Sequence, residues 1–583
     1  VRELPIDEVE ADGRSKQAIA ADMLTAIATV LAYASQSPEG DLDALGIRWR
    51  YVPRDMLTTT PTECVRTRCP YYPNECFVHG ARRRAACADV VVTNHSLLLR
   101  DIALDNAILP PARHWIIDEA HSFEQEARRQ WALEVSAEEA NKAFTVLGGT
   151  GTGVIHSVLT QVGSLDGSTM VAGLITKASA NVQRASVSSA ELLACIHELT
   201  TIAGSNGGYD STTLWIDENV RKSEQWQEVE KSGAQAFASF EQAVKALQEA
   251  SDAIMPESPQ LASQLLEATR SLRDLLAAIR LIVLEPDPSY VYSAELYRTK
   301  KRMGRERMIA EKLDVGSDLA KDWYNDTMSV TYTSATIAVG KSFEHFEHAL
   351  GLELMPKERT STLKVDSSFD YDRNMSVIVA RDMPDPNDRN YLSALEDLLF
   401  SVHTAMEGSV LTLFTNRREM EQVYNAVQPR LAAVGLDLAI QERRSSPRRL
   451  RERFMAEEQL SLFALKSFWE GFDAAGSTLR CVVIPKLPFA SPRDPLVRER
   501  DHREQRAWWR YSLPEAVLSV KQAAGRLIRT NTDSGILVLA DVRVSTKRYG
   551  QTFLNALPTS NATKLERASI GRYITLWRAG HER

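Results

Sequence analysis

From residue 375 onward the sequence alternates short apolar runs with longer stretches of helical spacing, and no other feature restricts the fold as much. The runs are Met375–Ala380, Ser409–Thr415, Leu436–Gln441, Leu460–Ala464, Arg480–Pro485 and Gly535–Asp541. Each is short, rich in Val, Ile and Leu, and lacks the polar alternation of a half-solvated strand. Such runs read as strands buried on both faces, and helices between them make the connections parallel. The predicted class is α/β, built on doubly wound parallel sheets.

Earlier segments share that texture. Asp89-Val90-Val91-Val92-Thr93-Asn94-His95 and Trp115-Ile116-Ile117-Asp118 read as buried parallel strands, and Ser329–Tyr332 as a further one. Residues 125–320 differ. They are rich in Ala, Glu, Gln, Leu and Ser, with helical spacing in Phe237–Leu247 and Leu261–Leu281, which predicts a mostly helical insertion.

Composition removes several classes. Hydrophobic residues at 44% and charged residues at 25% are ordinary for a folded chain and exclude collagen-like or wholly disordered readings. No apolar run is long enough for a membrane span, and the first residues do not form a secretory leader, so a cytoplasmic protein is expected. Sixty-nine Lys and Arg against 77 Asp and Glu give a net charge of -8. Any nucleic-acid contact must therefore come from local basic patches. Three are candidates: Arg82-Arg83-Arg84; Arg443, Arg444, Arg448, Arg449, Arg451 and Arg453; and Lys300, Lys301, Arg302, Arg305 and Arg307. Each reads equally as a solvated face or as a track for phosphates.

Of 6 cysteines, Cys64, Cys69, Cys76 and Cys87 crowd together, while Cys195 and Cys481 stand alone. That grouping suits a metal or iron–sulfur site better than a disulfide scaffold.

The sharpest chemical signal is Trp115-Ile116-Ile117-Asp118-Glu119-Ala120-His121. An apolar strand ending in two acids can hold Mg²⁺ with the first carboxylate. The second can orient or deprotonate the water that attacks a nucleotide γ-phosphate. In Gln522-Ala523-Ala524-Gly525-Arg526-Leu527-Ile528-Arg529, helical spacing predicts Gln522, Arg526 and Arg529 on one face, where guanidiniums suit a phosphate. Thr333-Ser334-Ala335-Thr336 and Phe468-Trp469-Glu470-Gly471-Phe472-Asp473 each follow a strand, and each alone reads as a loop.

The order of these segments resembles the DinG/XPD family of superfamily-2 iron–sulfur DNA helicases, closer to the bacterial DinG branch. The order is cysteine cluster, Val-Thr-Asn-His at 92–95, Asp-Glu-Ala-His, helical insertion, Ser-Ala-Thr, Trp-Glu-Gly-x-Asp and Gln-x-x-Gly-Arg-x-x-Arg. Lys486-Leu487-Pro488-Phe489 and Asp541-Val542-Arg543 fit as well. The resemblance implies two RecA-like domains with iron–sulfur and helical, arch-like insertions. It divides the chain into 1–60, the remainder of helicase domain 1; 61–88, the cluster insertion; 89–125, the Asp-Glu-Ala-His strand; 126–320, the arch; 321–370, the end of domain 1 and linker; and 371–583, helicase domain 2. It implies ATP, Mg²⁺ and a [4Fe–4S] cluster as cofactors, single-stranded DNA and duplex junctions as partners, a monomer, 5′–3′ translocation and a role in DNA repair or replication. Asp118 and Glu119 would be the Walker B acids. Gln522, Arg526 and Arg529 would act from domain 2. His121, Ser334 and Thr336 would line the nucleotide site and couple it to the strand, with Asp473 linking nucleotide state to DNA grip.

The sequence departs from the family in two places. No Gly-x-x-x-x-Gly-Lys-Ser/Thr loop occurs; Gly340-Lys341-Ser342 lacks the first glycine and reads as a loop entering a helix. The expectation is a helicase chain without its P-loop segment. The alternative is a non-catalytic nucleic-acid-binding protein that keeps the fold. In addition, Cys64, Cys69 and Cys76 match three family ligands, whereas the fourth is either Cys87 or a residue outside the chain. Four thiolates also suit Zn²⁺, and His79 stands nearby.

Overall fold

A computed structural model describes residues 16–37, 39–45, 64, 69–163, 168–203, 211–297, 306–442, 447–465, 468 and 478–581. The strands are β1 (His114–Ile117), β2 (Leu133–Ser136), β3 (Ser211–Trp215), β4 (Tyr290–Tyr297), β5 (Glu306–Lys312), β6 (Ser329–Tyr332), β7 (Met375–Ala380), β8 (Val410–Leu413), β9 (Leu438–Ile440), β10 (Ser461–Ala464), β11 (Cys481–Ile484), β12 (Gly535–Leu539) and β13 (Ala562–Leu565). The chain forms two compact units, residues 1–112 with 126–313, and residues 113–125 with 314–583.

The second unit holds a seven-stranded sheet in the order β13-β7-β12-β11-β8-β10-β9, with every pairing parallel. All six apolar runs expected as strands lie in it. Alternate residues feed opposite cores. Val377, Val379, Leu411 and Leu413 pack with the helix Leu513–Ala524, while Ile378, Ala380 and Val410 pack with the helices Tyr391–Met406 and Arg567–His581. Helices on both faces explain why the strands are apolar throughout. β13 escapes sequence reading because it is an edge strand with exposed and half-buried positions in alternation. A separate two-stranded parallel ladder pairs β1 with β6, Ile117 opposite Tyr332.

The first unit is a bundle with a sheet. The long helices Ser168–Ala203, Glu224–Ile254 and Pro259–Ile279 share one core with Val135, Leu214, Ala294 and Met308 from the strands. The strands form a four-stranded antiparallel sheet, β2-β5-β4-β3. The helical expectation is thus met in part, and the sheet is the addition. One segment differs outright. Val90-Val91-Val92 forms no strand; Val90 is 78% and Val92 93% exposed. A buried parallel strand needs neighbours to pair with, and among the described residues no strand lies beside it. No described helix is long and apolar enough to cross a membrane.

Candidate nucleotide-hydrolysis site

The Asp-Glu-Ala-His segment sits where β1 ends. The β1–β6 ladder continues one step past both strands: Thr333 N–H donates to Ile117 C=O at 2.9 Å, and Ala120 N–H to Thr333 C=O at 3.0 Å. That register sets the acids beside Ser-Ala-Thr. Between them Glu119 adopts φ 48, ψ 41, a left-handed conformation rare for a residue with a Cβ. Its N–H is caught by Asp118 Oδ1 at 2.9 Å. Strained backbone of this kind persists where the surroundings enforce it, and it gathers at functional sites. The turn leaves the Glu119 side chain 68% exposed.

From Glu119 a chain of side-chain contacts runs to the far end of the sequence. His121 Nδ1 lies 3.2 Å from Glu119 Oε2 and 3.0 Å from Ser334 Oγ. Ser334 Oγ also donates toward Glu119 Oε2 at 3.5 Å, lies 3.4 Å from Thr336 Oγ1, and accepts the Thr336 N–H at 3.2 Å. Thr336 is buried, and its Oγ1 accepts the side-chain amide of Gln522 at 3.2 Å. The acids, the Ser-Ala-Thr segment and the Gln-x-x-Gly-Arg segment therefore touch in series, though Glu119 and Gln522 lie about 400 residues apart in sequence.

The arginines are placed differently from the helical-face expectation. The helix Leu513–Ala524 stops at Gly525, so Gln522 is on it while Arg526 and Arg529 follow on the turn beyond. The cause is visible at Asp533, whose Oδ2 accepts the backbone N–H groups of Arg529 at 2.8 Å and Thr530 at 2.7 Å and closes a loop there. Arg526 is nonetheless buried. Lys521, the neighbour of Gln522, is a residue that sequence reading passed over. Its Nζ donates to Ala338 C=O at 3.3 Å, and burial, with Lys364 second, pushes its ammonium down from the usual range. Its place beside Gln522 on a packed helix was the available signal.

The glycine-lysine-serine string is a tight turn. Val339 and Ser342 exchange backbone hydrogen bonds of 3.0 and 3.1 Å around Gly340, at φ +63, and Lys341. The positive φ requires a glycine there. A two-residue turn presents no row of N–H groups to a phosphate, and a helix follows at Glu344–Ala349, in keeping with a loop that enters a helix. Asp473, Glu470 and Trp469 fall outside the described residues.

The cysteines do not come together as one set of four. Cys76 and Cys87 cap opposite ends of the helix Phe77–Ala86. A rise of about 1.5 Å per residue holds them roughly 16 Å apart, whereas two sulfurs on one zinc lie within about 4.6 Å. Cys64 Sγ lies 3.8 Å from His79 Nε2. Among the described residues no group of three or more His, Cys, Asp or Glu is gathered to hold an ion. A single metal ion held by both Cys76 and Cys87 does not fit this arrangement. Asp118, exposed at the end of a strand, is a residue type that suits a magnesium ion.

Several basic residues are occupied. Arg448 pairs with Glu452 at 2.9 Å and Arg453 with Glu457 at 3.0 Å. Arg451 lies over the Phe468 ring, and Arg307 donates to Glu295 at 2.5 Å. Arg83 is bonded to Asn74 and to Pro73 C=O. Phe489 packs among Trp508, Tyr549 and Phe553, a core position.

Comparison with known proteins agrees with the sequence signal. Residues 399–560 match the family model described as helicase C-terminal domain. The chain is 26% identical over 530 residues to the Bacillus subtilis protein named 3′-5′ exonuclease DinG, a match covering 85% of this chain and 54% of that protein. It is 28% identical over 519 residues to the Haemophilus influenzae protein named ATP-dependent DNA helicase YoaA, covering 87% and 72%. It is 28% identical over 554 residues to the Mycobacterium tuberculosis protein named ATP-dependent helicase DinG, covering 93% and 75%. The chain thus spans about half the length of the first of these relatives. The structure of S. tokodaii Xpd4 gives a TM-score of 0.43 at 13% identity, over 77% of this chain and 75% of that one, a loose likeness. Over most of its length the chain is thus similar in sequence to proteins named as DinG and YoaA helicases, and residues 399–560 match the helicase C-terminal domain.

Proposed function

We propose that this chain is the motor of an ATP-dependent DNA helicase that moves 5′–3′ along single-stranded DNA and opens duplex junctions, as a monomer in the cytoplasm, in repair or replication. The observation that supports the reading best is the contact series Glu119, His121, Ser334, Thr336, Gln522. In it, the group placed to activate water is wired to a helix that also carries the guanidiniums of Arg526 and Arg529 just beyond its end. Magnesium, when bound by Asp118, would neutralise phosphate charge. Glu119 would orient the attacking water, and Arg526 and Arg529 would face the charge that develops on the transferring phosphoryl group. His121, Ser334 and Thr336 would pass the state of that site to Gln522. Residues 371–583 would form the second motor domain, 89–125 and 321–370 parts of the first, 126–320 the arch and 61–88 a cluster insertion.

The 583 residues hold no P-loop string, so weak ATP binding is proposed for this chain alone. That same fact favours the second reading, a nucleic-acid-binding protein without turnover. The test is ATP hydrolysis with and without single-stranded DNA, on protein expressed from its complete coding region, followed by unwinding of duplexes with 5′ or 3′ tails. DNA-stimulated turnover and opening of only the 5′-tailed duplex support the motor. DNA binding with no turnover supports the second reading.

A further inference from the structure

Arg500 lies in the helix Pro495–Arg503, and its side chain is only 8% exposed. It holds two carboxylates at once. Its Nη1 donates to Glu515 Oε1 at 3.0 Å and its Nη2 to Glu124 Oε1 at 3.2 Å. The guanidinium carbon lies 4.0 Å from the centroid of the Tyr511 ring, and Tyr511 Oη is 3.1 Å from His348 Nε2.

The two carboxylates belong to the two sides of the proposed hydrolysis site. Glu124 lies three residues beyond His121, in the opening turn of the helix Phe123–Gln130. Glu515 is in the first turn of the helix Leu513–Ala524, whose last turn presents Lys521 and Gln522 to Ala338 and Thr336. That helix is therefore pinned at both ends: by Arg500 at its start and by the Ser-Ala-Thr segment at its finish. A rigid element fixed at two points transmits small displacements of the acid turn to Gln522.

The choice of residue fits this use. A planar guanidinium fork holds its donors in fixed directions toward two carboxylates, whereas an ammonium is a compact point charge on a flexible stem. Stability alone does not demand the arrangement, since buried ion pairs are often matched by apolar packing. Here the Arg500 Nε is also buried without a hydrogen-bond partner among the described residues.

We propose that Arg500 is a positioning residue. It sets the Asp118–His121 turn against the helix that carries Gln522, and so governs turnover without touching nucleotide. The inference rests on the functional reading above. The test is steady-state ATP turnover with saturating single-stranded DNA, on protein expressed from its complete coding region, for Arg500→Lys and Glu124→Gln. Lysine can keep one of the two pairs, so the thermal midpoint stays near that of the wild type. The kcat falls at least about tenfold, because misplacement of catalytic groups is costly, while the KM for ATP stays within about twofold. Hydrogen exchange speeds up in residues 513–524. If Arg500→Lys does not fold, Glu124→Gln, which leaves the Glu515 pair intact, carries the same expectation. An active wild type with kcat unchanged in a folded variant overturns the positioning role alone. So does a loss of activity that only tracks a loss of folded protein. A wild type with no DNA-stimulated turnover overturns the functional reading, and this inference with it.

Discussion

Gln522 donates its side-chain amide to Thr336 Oγ1 across 3.2 Å, and through that bond a helix late in the chain meets the segment that flanks the strand-end acids. Thr336 is in turn within 3.4 Å of Ser334, which reaches His121 and Glu119. One neutral hydrogen bond of this kind is worth about 1 kcal/mol. Gln522→Ala and Thr336→Val are each expected to lower DNA-stimulated ATP turnover about fivefold. The double variant should do little worse than either single one, because both remove the same bond. Turnover measured for all four proteins checks this, and independent, multiplying losses would contradict it.

The Asp541 carboxylate is fully buried. It accepts Leu487 N–H at 2.8 Å, Arg543 N–H at 3.0 Å and the Arg543 guanidinium at 2.9 Å. Removing one partner of a buried pair leaves a desolvated charge behind. Asp541→Ala is expected to cost roughly 3–5 kcal/mol in urea unfolding. A loss below about 1 kcal/mol would contradict this role for the residue.

His403 lies fully buried against Phe463, with Nε2 3.3 Å from Thr412 Oγ1. Burial pushes its imidazole down to about 3. The unfolded residue takes up a proton near pH 6.5 and the folded one does not. The unfolded state therefore binds more protons across that window, and stability is lost as the pH falls from about 6.5 toward about 3, by up to about 1.4 kcal/mol per unit. His403→Leu should flatten that slope by up to one proton when urea midpoints are compared at several acidic values. An unchanged slope would contradict the burial argument.

Cys87 is exposed and caps the end of its helix opposite Cys76. Cys87→Ser is expected to retain whatever iron or zinc the wild-type protein carries after anaerobic purification, read by elemental analysis. Loss of the metal in this variant would contradict the geometry described.

The second unit's sheet was legible because strands buried on both faces must be apolar at every position, and Met375–Ala380 or Gly535–Leu539 can be little else. The acid pair was legible because an apolar strand runs straight into it. What escaped depends on partners far away in sequence. β4 and β5 lie within a stretch dominated by long helices, and their antiparallel pairing across residues 298–305 leaves no local mark. Val90–Val92 has the composition of a buried strand, but composition does not supply a neighbour to pair with. Arg526 and Arg529 have helical spacing from Gln522, yet Gly525 and the Asp533 loop end the helix before them. The serial contact from Glu119 to Gln522 could be read only from the fold, since residues so distant in sequence carry no shared periodicity.

In the proposed function Glu119 activates the attacking water at the head of the contact series. The most direct measurement is ATP binding and hydrolysis by Glu119→Gln, with single-stranded DNA present, on protein expressed from its complete coding region. The amide keeps the size and the left-handed turn but cannot take a proton. The expected result is nucleotide binding close to that of the wild type with turnover lowered at least about a hundredfold. Hydrolysis near the wild-type rate would contradict the claim.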